Sequence, residues 1–129
     1  MTSENIPKAY DSRDDEFYRQ IGDVNIRISG LNEEEKDVRD GVYAEIVKSL
    51  VKTKKMVHVI DFTLNIKKYH EAGSRKKYAI NIRIICDSGD FQADASEWDI
   101  FKVVRIALDK LEKEIFRHME KEKMQPKSR

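Results

Sequence analysis

The sequence predicts an α+β fold: a four-stranded, mainly antiparallel sheet with two helices on one face, in the order β-α-β-β-β-α. Four short stretches alternate apolar and polar residues, and two longer ones repeat apolar residues at helical spacing. Each stretch has one apolar face to bury, so the simplest packing lays both helices on one side of the sheet and leaves the other side polar.

Residues 1–22 carry Pro7, many charges and no period, and read as a flexible or partner-ordered tail. Val24, Ile26 and Ile28 then alternate with Asn25, Arg27 and Ser29, a half-buried strand that stops at Gly30. Asn32 is suited to cap free amides, and Glu33, Glu34 and Glu35 suit the positive end of a helix dipole. Val38, Val42, Ile46 and Leu50 continue that helix at fourfold spacing over about 33–53, with Lys52, Lys54 and Lys55 at its negative end. A second strand follows Val57, with Ile60, Phe62, Leu64 and Ile66 expected inward and Asp61, Thr63, Asn65 and Lys67 outward. After a basic loop over 70–77, Tyr78, Ile80, Ile82 and Ile84 mark a third strand. Asp87-Ser88-Gly89-Asp90 is a turn, and the small residues Ala93 and Ala95 beside Phe91 leave room for a helix over a fourth strand. The last element, over about 98–123, is a long amphipathic helix whose stripe is Trp98, Phe101, Val104, Leu108, Leu111, Ile115 and Met119. One domain over 23–124 with a frayed 125–129 is the expected organisation.

At 129 residues the chain suits a single core, and its 38% charged residues exceed the roughly 25% of an ordinary soluble domain. Abundant Lys, Glu and Ile with little Pro lean toward an ion-pair-rich protein working at high temperature. A net charge of +1 excludes coating of nucleic acid by overall charge, so any RNA contact must come from how the charges are distributed. They are segregated. Ten basic and two acidic residues lie between Ile46 and Ile85, against two basic and six acidic ones between Asn32 and Glu45. Cys86 is the only cysteine, which rules out an intramolecular disulfide and a cysteine metal cluster. No window approaches the roughly 20 apolar residues of a membrane span, and the polar first residues do not resemble a signal peptide, so a cytoplasmic protein without membrane contact is expected.

No phosphate-cradling glycine loop, nucleophile elbow or helical His pair occurs. His58, His70 and His118 fall on different elements and read as surface or packing residues, and Cys86 reads as a small buried hydrophobe. The expectation is a non-enzyme with no cofactor and no metal. What chemistry there is lies in the bases. Lys102, Arg105, Lys110, Lys113, Arg117 and Lys121 fall opposite the apolar stripe of the last helix, although Asp109, Glu114 and Glu120 are mixed among them as in any helix charged for solubility. Lys52, Lys54, Lys55, Arg75, Lys76 and Lys77 stand at element ends or loops, and Arg83 lies on the third strand. If these groups converge they form a surface that reads phosphate charge and the shape of folded RNA.

The element order, with the run from Phe91 to Phe101 leading into Ala107-Leu108-Asp109-Lys110-Leu111-Glu112, resembles the ribosome hibernation-promoting factor and ribosome-associated inhibitor family. That family pairs a last strand of alternating small residues, here Ala93 and Ala95, with an Asp-apolar-aromatic helix start, here Asp99, Ile100 and Phe101, and an Asp-Lys-Leu-Glu segment. The resemblance spans roughly 23–123 and is specific over 91–117. It implies a fold related to the double-stranded-RNA-binding domain and a seat in the decoding channel of the small ribosomal subunit, blocking translation. It also implies Lys110, Lys113 and Arg117 as first phosphate contacts, with Lys52, Lys54 and Lys55 as looser matches. Departures at Arg105, in the basic 75–77 loop and in the acidic tail suggest a short, divergent form of archaeal type, and homodimerisation would have to use this domain or its tail. Two other readings share the composition: a structured-RNA-binding module with a non-ribosomal target, and a protein-interaction or dimerisation domain that uses its sheet face or edge.

Overall fold

The computed structural model describes residues 16–70 and 76–124. Its order is β1 (Glu16–Ile21), β2 (Val24–Ser29), a 3-10 turn (Glu33–Glu35), α1 (Lys36–Thr53), β3 (Val59–His70), β4 (Lys76–Cys86), β5 (Gly89–Glu97) and α2 (Ile100–Met124). The class is the expected α+β. The sheet departs from expectation: it has five strands in the order β1-β2-β3-β4-β5, and it is mixed, because β2 and β3 run parallel with α1 as their crossover. The remaining neighbours are antiparallel.

The extra strand, β1, falls within the segment expected as a tail; residues 1–15 of that tail, like 125–129, lie outside the described residues. β1 turns back through Gly22-Asp23, with Ile21 opposite Val24 and Gly22 at φ 60°. A two-residue hairpin with a left-handed first position matches the twist of its strands, and glycine takes that position without strain. Phe17 is held by rings and guanidinium groups: Tyr43 of α1 meets it edge-on at 5.8 Å, with Arg39 4.4 Å and Arg19 5.0 Å from its centroid.

Both helices cover one sheet face. Ile26, Ile28, Phe62, Leu64, Ile80, Ile82 and Ile84 from the strands meet Val42, Ile46, Val104, Leu111 and Ile115 from the helices in one buried cluster. Two inward positions differ from the alternation read in the sequence. A register irregularity between Val59 and Asp61 turns Ile60 outward and buries Val59 in its place. Trp98, counted in the helical stripe, precedes α2, whose start is set by Asp99: its Oδ1 accepts the amides of Phe101 and Lys102 at 2.9 and 3.2 Å. Ile100, Val103 and Ala107 complete the buried side of α2.

The helices run parallel. Gly41 faces the Phe101 ring, Arg105 Nη2 lies 3.5 Å from Glu45 Oε2, and Ser49 Oγ donates to Glu112 Oε2 at 2.6 Å, so equivalent turns stay side by side. Their carboxy-terminal ends therefore emerge at the same end of the molecule.

Candidate nucleic-acid interface

The basic residues named from the sequence do not form one patch; the fold sorts them into three places. The first is the shared carboxy-terminal end of the helices. No acidic residue follows Glu45 on α1 or precedes Asp61 on β3, so Lys48, Lys52, Lys54 and Lys55 carry the charge there. Lys54 and Lys55 are exposed, have no ion pair among the described residues, and border a groove of about 410 Å³ that also takes in Asp23, His58, Asp87 and Met119. Met119 brings α2 to this groove, and exposed Lys121 lies two residues further along the helix, on its other side. Lys52 lies 3.7 Å from Glu112, a carboxylate that also accepts the Ser49 hydroxyl. Upstream on α2, Lys113 pairs with Asp109 at 3.1 Å and Arg117 with Glu114 at 2.9 Å, with all four side chains largely exposed. Such pairs are worth little in water and exchange readily for another anion.

The second place is the opposite end, where Lys76 and Lys77 begin β4 and Lys102 lies 4.0 Å from Glu97. β3 separates the two ends by its twelve residues, roughly 36 Å at the usual strand rise. Lys77 Nζ sits 5.8 Å from the Trp98 ring centroid. Arg75 lies outside the described residues. The third is the uncovered sheet face, where Arg83 pairs with Asp90 at 2.9 Å. That face is a shallow concavity of about 890 Å³ whose middle row reads Tyr18, Arg27, Thr63, Arg83, Gln92 across the five strands. Asp61, Asp90 and Asp94 share the face, so its charge is mixed. Arg83 points away from the helices and is no part of their surface.

Along α2, Arg105 is held by Glu45, and Lys110 Nζ donates to the Asp94 carbonyl on β5 at 2.9 Å. Structural duties therefore account for much of the segment that carries the family resemblance. Asp99 caps α2, Phe101 fills the notch left by Gly41, Leu111 is buried, Lys110 ties α2 to the sheet and Glu112 ties it to α1.

Among the described residues no group of three or more His, Cys, Asp or Glu could hold a metal ion, and no helix is long and apolar enough to cross a membrane. His58 is exposed, 3.8 Å from Asp23, and His118 meets the Phe91 ring edge-on at 5.2 Å; the His70 side chain lies outside the described residues. Burial pushes the Cys86 thiol up to about 11, and Asp87 and Asp90 add to the shift, so the thiolate needed of a nucleophile is scarce at neutral pH.

Sequence reasoning counted Lys48 in the basic run but not among the candidate contacts, although its exposed ammonium, 3.8 Å from Glu45, extends the α1 group, and it missed the whole of β1. A signal for the latter was present: Gly22-Asp23 between Ile21 and Val24 is a two-residue hairpin turn. Compared with known proteins, the chain matches no family model, and curated proteins give no significant match.

Proposed function

We propose that the chain is a cytoplasmic, non-enzymatic ribosome hibernation factor that binds the small ribosomal subunit in or near its decoding channel and blocks translation. One observation supports this reading most: two parallel helices deliver Lys48, Lys52, Lys54 and Lys55 from one and Lys113, Arg117 and Lys121 from the other to the same end of an exposed layer. Exposed ammonium and guanidinium groups on a helical surface suit the phosphate ridges of folded RNA, where shape and backbone charge are read instead of base sequence. The resemblance over 91–117 supplies the ribosomal target.

Co-sedimentation with purified subunits over a salt series tests it. The native chain should migrate with the small subunit at low salt, and log affinity should fall linearly with log salt. Lys54→Glu, Lys55→Glu, Lys113→Glu and Arg117→Glu combined should abolish migration, with a melting curve confirming the fold. A chain that stays at the top of the gradient at every salt is not a ribosome-binding protein, and salt-sensitive binding to free duplex RNA alone would move its target elsewhere.

A further inference from the structure

We infer that β1 is a dimerisation strand: two copies of the chain join their β1 edges antiparallel about a two-fold axis at Tyr18, making one continuous ten-stranded sheet. The inference is independent of any RNA contact.

It starts from an asymmetry between the sheet's two edges. The outer edge of β5 is attended by α2, whose Lys110 donates to the Asp94 carbonyl at 2.9 Å. Among the described residues β1 pairs with β2 alone, and no other residue hydrogen-bonds its backbone. Which groups are left open follows from the turn. The pair flanking a two-residue hairpin is hydrogen-bonded, and such pairs alternate along an antiparallel ladder. Ile21, Arg19 and Phe17 therefore direct their amides and carbonyls to β2, while Glu16, Tyr18 and Gln20 direct theirs outward.

Three of the usual protections of a free edge are missing from this strand, and the one it carries, the inward charge of Arg19, is drawn over the Phe17 and Tyr43 rings. Its six residues, Glu16-Phe-Tyr-Arg-Gln-Ile21, include no proline and no lysine, and its register with β2 is unbroken by a bulge. Nor is it loose, since Phe17 is clamped between Arg19, Arg39 and Tyr43. Outward-facing donors and acceptors on a strand held in place by its side chains suit an added antiparallel strand, and the same strand of a second copy supplies one.

Chemistry also selects the register. An axis at Tyr18 sets Glu16 opposite Gln20 and Phe17 opposite Arg19 of the second copy, so each edge brings a guanidinium beside an aromatic ring, and Glu16, Tyr18 and Gln20 all find hydrogen-bonded partners. Moving the axis to Arg19 would put two guanidinium groups directly opposite each other, which is repulsive. The Tyr18 side chain, 63% exposed, then faces its own copy on the uncovered side of the sheet.

Sedimentation equilibrium of the full chain in the absence of RNA reads the outcome. The native chain should be a dimer, while Tyr18→Lys and Tyr18→Glu alone should each be monomeric, because like charges meet across the axis. Mixing the two variants should restore a dimer containing one of each. Circular dichroism melting of each variant checks that β1 stays folded. A native chain that is monomeric at every soluble concentration overturns the inference and leaves the edge to a strand from another protein. Dimers that persist in both variants overturn it too, by placing the interface elsewhere.

Discussion

Glu35 shows how one side chain joins local and long-range structure. Its carboxylate accepts the Asn32 amide at 3.0 Å, closing the first turn before α1, and accepts the Lys68 ammonium from β3. Burial alone would raise its pKa, but the hydrogen bonds from Lys68 and Asn32 and the charges of Lys68 and Lys76 outweigh it and hold the carboxyl below its ordinary 4.5. A depressed folded-state pKa means that this stabilisation is complete above the ordinary value and is lost as pH falls through the folded one. Urea unfolding should therefore find Glu35→Gln less stable than the native chain at neutral pH, with the gap closing in acid. A gap that stays constant with pH would show that the charge of Glu35 does not stabilise the fold. The Asn32 start was legible in the sequence, since local capping has a local signal. Lys68 was not, because nothing local connects two residues that meet only when β3 pairs beside the helix start.

The elements themselves were legible where one period governs many residues. β2 to β5 and both helices fall close to where alternation and helical spacing put them. The failures come where a single residue resets the period, as at Ile60 beside the bulge and at Trp98 before the Asp99 cap. β1 escaped because only Phe17 and Ile21 mark its inner face, and the position between them is Arg19. How the helices meet was not legible either. Gly41, a poor helix former in mid-helix, is explained by its neighbour: a Cβ there would lie 2.7 Å from Phe101 Cε1. The substitution Gly41→Ala should gain about 1 kcal/mol of helix propensity wherever the ring is absent. In the native background the clash should cancel or reverse that gain, whereas in Phe101→Ala the full gain should appear. Equal effects in both backgrounds, measured by chemical denaturation, would mean that the ring yields freely and that Gly41 does not set the helix spacing.

At the scale of the whole molecule, the sequence showed that charge is segregated along the chain but not which segregated groups meet. Alternation places Arg83 between Ile82 and Ile84, hence on the face away from the helices, while the parallel pairing that sets Lys52 beside Glu112 and brings Met119 to the groove of Lys54 and Lys55 depends on the tertiary fold. This geometry separates charge distribution from net charge, which is only +1. Arg27→Glu with Arg83→Glu and Lys54→Glu with Lys55→Glu change the net charge equally, but one pair lies on the uncovered sheet face and the other at the helix ends. If RNA is held by the helical layer, the sheet-face pair should leave affinity and salt slope nearly native, apart from a weak long-range effect that moderate salt screens. The helix-end pair should weaken binding and lower the salt slope by about one for each phosphate that is no longer neutralised. Equal weakening by both pairs would mean that the chain responds to RNA as a diffuse charge, and a larger effect of the sheet-face pair would turn the molecule over on its target.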